Sequence, residues 1–312
     1  MGIIGKAAIF GAAGTIGPYV AAELELRGIP FRVVGRRKSA LAAAFGGMTN
    51  AEIFDADVGD LRSASAAARG VDTIFYCVGL PYPSHRLHPE LMRTTLAAAA
   101  AMQVQRIVVV SNVYSYGRPR TSTVAETHPR QPEARKGKYR VEQEDLAMAA
   151  KLDATIVRLP DFYGPGAENS LANPIFRAAL AGKTANWLGP VNAPHEFVFV
   201  PDTGPAIVEL ALSPEAYGQA WNYGGPGAIN SLDFITRVYR AAGRSPKYRT
   251  AGPTMLKFLG LFNPVMAELP EMLYLHETPV ILDDSKLLAK FPQIGKTSYD
   301  EGIRRTVEWM RG

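Results

Sequence analysis

The chain of 312 residues contains a single cysteine, Cys77. An internal disulfide framework is therefore excluded, and so is any zinc site built on thiolates. Histidine is scarce as well, five in all. His85 and His88 stand in a proline-rich loop, where surface positions are expected. His128, His195 and His276 are scattered, and no HExxH-type pair occurs, so no metal centre is expected. No stretch approaches the ~18 uncharged apolar residues of a spanning helix. The start, MGIIGKAAIFGAAGTIG, runs straight into a strand and a glycine-rich turn, so no signal peptide is expected. Lys6 stands where N-myristoylation would require Ser or Thr. These absences point to a reducing compartment, and the cytoplasm is the expected location.

What the chain does have is globular composition, 47% apolar and 20% charged. The length suits one large domain, or a domain with a smaller lobe. Lys and Arg number 34 against 29 Asp and Glu, a formal charge of +5. The basic residues bunch at Arg36-Arg37-Lys38 and at Arg135-Lys136-Lys138-Arg140. No zinc-finger spacing or RNA-binding aromatic motif accompanies them. A phosphate-bearing small molecule is the expected anionic partner, and neither nucleic acid nor membrane is. Assembly as a homodimer is left open.

Strands and helices alternate through the first half. Ala7–Phe10, Phe31–Val34, Glu52–Phe54, Thr73–Cys77 and Arg106–Val110 read as short buried strands. Helices are expected from about Ile16 to Leu26 and from Pro89 to Met102. Continuously apolar strands separated by helices imply a parallel sheet covered on both faces. That is a doubly wound α/β fold, whose ligands sit at the carboxyl ends of the strands. The second half is richer in Pro and Gly. There Phe197–Val200 reads as a strand, and Asp202–Leu212, Ser231–Ala242 and Ser298–Met310 as helices. Ser298 with Glu301 three residues on makes a capping-box pattern.

Gly11-Ala12-Ala13-Gly14-Thr15-Ile16-Gly17 follows the first strand and opens a helix. The first glycine permits the turn, the second lets a pyrophosphate approach the backbone, and the third lets helix and strand pack closely. The GxxGxxG spacing resembles that of the short-chain dehydrogenases/reductases, and specifically their extended branch, the NAD(P)-dependent epimerase/dehydratase group. Further segments carry the resemblance nearly end to end and in family order. They are Asp57-Val58, the stretch from Val71 through Cys77-Val78-Gly79, Ser111 with Tyr116-Gly117, and Arg158-Leu159-Pro160-Asp161-Phe162-Tyr163-Gly164-Pro165-Gly166. Glu196–Asp202, Trp221–Gly225 and Tyr299–Trp309 complete the series. The resemblance implies a Rossmann-like domain over 1–162, rejoined by about 196–225, and a smaller, mainly substrate-binding lobe over 163–312. It implies cofactor contacts from Gly11, Ala13, Gly14, Thr15, Ile16, Gly17, Asp57, Val58, Val78, Gly79, Ser111, Lys136 and Pro160. The second strand ends in Gly35-Arg36-Arg37-Lys38, with no acid to accept both ribose hydroxyls. Arg36, assisted by Arg37 or Lys38, can instead grip a 2′-phosphate, so NADP(H) is expected over NAD(H).

The family's working set is a Ser or Thr after the fifth strand and a Tyr four residues before a Lys on the next helix. Fixing the register on Glu126, Pro129, Pro132 and Glu144 puts Lys136 at the Tyr position, Arg140 at the Lys position and Asn112 at the Ser position. All three are replaced. Lys136 is the first candidate for proton donor, activated by burial and by Arg140, which itself stays charged and holds cofactor or an anionic substrate group. Tyr163 is expected across the pocket. Other readings stay open. Lys136 and Arg140 could simply bind cofactor phosphate or an anionic substrate, with no proton transfer; a relocated phenol, Tyr139, Tyr114, Tyr116 or Tyr163, could supply the proton; the basic helix could be a solvated face; Asn112 could simply satisfy backbone at a strand end. Phe162, Tyr163 and Trp187 could line a pocket or fill the lobe's core. Two functions follow: an NADP(H)-dependent oxidoreductase, or an epimerase or dehydratase using hydride transfer transiently; and, alternatively, a non-catalytic NADP(H)-binding redox sensor.

Overall fold

Ala7–Phe10 is wholly buried because it forms the centre of a sheet covered on both faces. The computed structural model describes residues 4–252 and 267–312; the Met-Gly start considered for myristoylation lies outside them. Seven strands lie in the order β3-β2-β1-β4-β5-β6-β11, all parallel. They are β1 (Ala7–Phe10), β2 (Phe31–Gly35), β3 (Ala51–Asp55), β4 (Thr73–Tyr76), β5 (Arg106–Asn112), β6 (Asp153–Leu159) and β11 (Gln219–Asn222). The order reverses between β1 and β4, the switch point where doubly wound sheets take their ligands.

One apolar cluster packs the helices α1 (Gly17–Leu26), α2 (Lys38–Phe45) and α7 (Val200–Leu212) on one face of the sheet. The other face is covered by α3 (Leu61–Ala68), α4 (His88–Ala101) and α5 (Arg135–Met148). Their small side chains, Ala64, Ala67, Ala98, Ala99 and Ala147, are completely buried, which lets the helices approach the sheet closely. Among the described residues no helix is long and apolar enough to cross a membrane.

The smaller lobe is built on aromatic packing. Tyr163, Phe176, Phe197, Phe199, Phe234 and Tyr299 form stacked and edge-on pairs with centroids 4.4–6.4 Å apart. They come from β7 (Asp161–Tyr163), α6 (Asn173–Leu180), β10 (Phe197–Phe199), α8 (Ser231–Ala241) and the C-terminal helix Tyr299–Arg311. Ser298 caps that last helix by accepting from the Glu301 amide at 3.3 Å. The Glu301 carboxylate, however, pairs with Arg304 and does not close the box.

Candidate functional site

Gly11 sits at φ +82°, and a Cβ there would lie 2.8 Å from the Cys77 carbonyl oxygen. The turn after β1 is thus wedged against the end of β4, and only glycine fits. A Cβ on Gly17 would come 2.3 Å from the Ala12 carbonyl oxygen, so α1 starts in contact with its own turn. Gly14 differs: it is exposed, and a Cβ there would meet the turn's own Gly11 carbonyl oxygen at 3.1 Å and that of Cys77, past β4, at 3.7 Å. Gly79 has nothing within 4 Å of such a position. No side chain caps the first turn of α1; Pro18 has no N–H and the Tyr19 and Val20 amides bond the Ile16 carbonyl, so the Gly17 amide is the one left for a ligand in that turn. Ala13 is exposed, Thr15 half-buried and Ile16 buried beside it. Arg36, Arg37 and Lys38 are exposed at the end of β2. Asp57 is exposed, its carboxylate held by the Gly59 amide at 3.0 Å, and Val58 is half-buried beside it. An open glycine cradle, a helix start without a side-chain cap and exposed cations at the next strand end fit a dinucleotide. Val78 is half-buried past β4, and Pro160 is buried between β6 and β7.

The other end of the site departs from the expected residues. Lys136 is 2% exposed. Its ammonium pairs with Glu268, and with Glu271 at 2.9 Å, so two carboxylates and not a cation surround it. The expectation that Arg140 frees Lys136 to donate a proton does not match these surroundings. Nor is the helix a solvated basic face: Arg135 and Lys138 are exposed, but Lys136 and Arg140 are buried. Asn112 accepts from the Tyr114 amide at 3.1 Å and caps the short turn Val113–Ser115; its side chain satisfies backbone and is not aimed as a catalytic group. The Ser111 hydroxyl donates to Glu144 at 2.5 Å, inside the buried Glu144–Arg158 pair, so its hydrogen is already committed.

Tyr163 is also corrected. It lies in the aromatic lobe core with its hydroxyl against Gly302, where an added Cβ would stand 2.2 Å away, so it does not face Lys136 across a pocket. Trp187 belongs to the same core. Tyr116 is tied between Arg158 at 2.8 Å and Asn222 at 2.7 Å. Tyr139 is half-buried. Of the candidate phenols, Tyr114 is the one that reaches the site.

Its hydroxyl lies 3.0 Å from that of Tyr82, from the turn Tyr82–Leu87 that follows β4. The Lys136 ammonium stands 5.7 Å from the Tyr82 ring centroid. Burial pushes the Tyr82 phenol up to about 12, with the Asp161 carboxylate adding to it. Tyr114 is raised further, by burial and then by Tyr82 and Asp161, while Arg140 acts against this. Both phenols are therefore protonated at neutral pH.

Asp161 accepts from His195 Nε2 at 2.8 Å. Burial would raise this carboxyl, but the hydrogen bond and charge of His195, with that of His276, hold it below its ordinary value. His276 stacks on His195 at 5.4 Å and 14°, and Trp187 stands edge-on to both. His276 is pushed down to about 4 by burial and by His195. His85 and His88, expected on the surface, are buried beneath α5. Burial first, then the Arg140 charge, holds both neutral, His85 at about 3. Tyr82, Asp161, His195 and His276 lay outside the expected site set; the Asp161 segment alone carried a signal, through its resemblance.

The sequence model of a family described as NAD(P)H-binding matches residues 11–171, just over half of the chain. No curated protein matches it. Solved structures match over almost the whole length. The dTDP-glucose 4,6-dehydratase of Streptomyces venezuelae, with NAD and TYD bound, superposes with a TM-score of 0.81 at 20% identity, covering 98% of this chain and 97% of that one. For the UDP-glucuronic acid 4-epimerase of Bacillus cereus in complex with NAD the TM-score is 0.79 at 16% identity, covering 98% of each chain. The UDP-glucose 4-epimerase of Thermotoga maritima gives 0.78 at 18%, again over 98% of each. The fold is that of the extended short-chain dehydrogenases/reductases, and with its glycine turn inside the matched region the chain belongs to the NAD(P)H-binding family.

Proposed function

We propose that this protein is an NADP(H)-dependent oxidoreductase, or an epimerase or dehydratase using the same hydride chemistry, that works without a Tyr-x-x-x-Lys pair. One observation carries the reading. Tyr82, Tyr114, Arg140, Asp161 and His195 converge from five segments near the carboxyl ends of β4, β5 and β6, where doubly wound sheets bind ligands. In this reading 1–162, rejoined by about 196–225, hold the cofactor, and 163–312 mainly hold the substrate. The Gly11–Gly17 turn would take the pyrophosphate, Arg36 with Arg37 or Lys38 the 2′-phosphate, Asp57 and Val58 the adenine side, and Val78, Gly79 and Pro160 the nicotinamide half. When bound, the dinucleotide supplies or accepts a hydride.

Tyr114 gives a proton to a substrate oxygen, and Tyr82 hydrogen-bonds the phenol as it does so. Arg140 stabilises the charge left on Tyr114. Asp161 fixes the ring of His195, which is buried against Trp187, Phe197 and His276. Lys136, neutralised by Glu268 and Glu271, holds the Tyr82 turn in place. Fluorescence titration with NADPH and NADH, followed by NADPH oxidation across a panel of aldehydes and ketones, tests the reading. Tight NADPH binding with turnover of a panel member is expected; absence of binding to either dinucleotide defeats it.

The second reading, a redox sensor that binds NADP(H) without turnover, is favoured by the same Lys136 clamp. The position of the family's acid holds an ammonium already committed to two carboxylates. NADPH binding without oxidation of any panel compound would favour the sensor.

A further inference from the structure

Four cationic side chains are buried among the described residues: Arg32, Lys136, Arg140 and Arg158. Three have carboxylates. Arg32 pairs with Glu52 at 2.9 Å, Lys136 with Glu268 and Glu271, and Arg158 with Glu144 at 2.7 Å. Arg140 has none. Its Nη1 donates to the neutral Gln143 Oε1 at 2.8 Å, and its Nε has no partner. Glu144, one helical turn on, is taken by Arg158, Arg130 and Ser111.

The Glu144 charge reaches Arg140, but its oxygens are held by those partners, and among the described residues no other acidic side chain bonds the guanidinium. His88 has no partner on either ring nitrogen, and the Tyr76 hydroxyl and Gln143 Nε2 are also unpartnered and buried. Because Gln143 Oε1 is fixed by Arg140, its amide nitrogen must point away as a donor. The cluster is therefore rich in donors and carries one net positive charge. Water can satisfy the orphaned N–H groups, but it cannot offset a buried charge. The missing component is an anion.

The dinucleotide's phosphates have their own cations and helix start at the far end of the site. Arg140 lies instead beside the Tyr114 phenol, which its charge reaches. We propose that Arg140 receives a carboxylate, or a comparably small oxyanion, carried by the substrate, so that the substrate class is an anionic carbonyl or hydroxy compound. This rests on the oxidoreductase reading above. The guanidinium fork matches a carboxylate in two parallel hydrogen bonds, a match that a lysine ammonium lacks.

Calorimetric titration with oxalate and with its uncharged analogue oxamide, with and without saturating NADPH, tests this on the wild type, Arg140→Gln and Arg140→Lys. Oxalate is expected to bind the wild type, at least tenfold more weakly to Arg140→Gln, and with intermediate affinity to Arg140→Lys. Oxamide should bind none of them, and NADPH affinity should be nearly unchanged by Arg140→Gln. No oxalate binding to the wild type, or equal affinity in wild type and Arg140→Lys, overturns the proposal. So does a loss of NADPH affinity in Arg140→Gln without an oxalate effect, because Arg140 then serves the cofactor. If Arg140→Gln does not fold, the comparison of wild type with Arg140→Lys decides alone. If NADPH does not bind the wild type, the oxidoreductase reading fails, while the cofactor-free oxalate titration still reads Arg140.

Discussion

The hydroxyls of Tyr82 and Tyr114 lie 3.0 Å apart, although the two residues come from turns after different strands. One phenol donates to the other, so a single hydrogen is left over for a third group. Burial and the Asp161 charge raise both phenols and keep them protonated at neutral pH, while the Arg140 charge works against the rise at Tyr114 and favours release of its proton. Tyr114→Phe is expected to lower NADPH oxidation by about 10²-fold or more, the usual cost of losing a general acid. Tyr82→Phe, which removes only support, should cost about tenfold. Lys136→Met should act chiefly on stability, because it leaves Glu268 and Glu271 without their cation. Steady-state rates with thermal melts of the three variants check this. Full turnover in Tyr114→Phe together with its loss in Lys136→Met would return the acid's role to Lys136.

Cofactor choice is expected to follow Arg36. The three cations at the end of β2 are exposed, and no acid stands there to take both ribose hydroxyls. NADPH should bind more tightly than NADH, and Arg36→Ala should weaken NADPH by about tenfold or more, ~1.4 kcal/mol, while leaving NADH nearly unchanged. Equal affinity of the wild type for both dinucleotides would count against it.

Two glycines of one turn should behave differently. Gly14→Val places an exposed side chain over the turn with its Cβ 3.1 Å from the Gly11 carbonyl oxygen, a contact that a small shift relieves, so binding is lost while the circular dichroism spectrum stays native. Gly17→Val drives Cβ to 2.3 Å from the Ala12 carbonyl oxygen, so the turn itself must move and the melting temperature should fall steeply. Undiminished NADPH binding in folded Gly14→Val would place the ligand elsewhere.

The sheet and the glycine turn were legible because their signals are local. Continuous apolar runs and the GxxGxxG spacing each lie within a few residues. The surroundings of Lys136 and Tyr163 were not legible, for the opposite reason. Lys136 meets carboxylates 132 and 135 residues away, and no spacing rule connects them. His85 and His88 read as surface residues from their prolines, yet that segment folds into a short turn packed under α5 and α4. Tyr163 kept its motif, but five aromatic neighbours from other segments turned its ring into the lobe. The Asp161–His195 contact joins two strands of the second half, and the sequence marks neither residue as the other's partner.

The pH dependence of stability should expose Glu196. This carboxyl is 3% exposed and accepts from the Gly225 amide at 3.0 Å and the Leu282 amide at 2.8 Å. Burial pushes it from 4.5 up to about 7, against the pull of the two amides and Lys296. A raised acid favours its protonated form in the folded state. Its contribution is therefore complete below about 4.5 and is lost as pH rises toward 7, at most about 3 kcal/mol. The buried histidines act in the opposite sense. His85, His88 and His276 lie below their ordinary 6.5, so their contribution is complete above 6.5 and is lost as pH falls through the acid range. In the wild type the two trends offset one another between about pH 4.5 and 7. Glu196→Gln removes one of them, so the variant's stability should rise with pH across this window more steeply than the wild type's. Urea unfolding at half-unit pH steps measures both profiles. Parallel curves would mean that Glu196 is ionised in the folded protein throughout, held by its two amides.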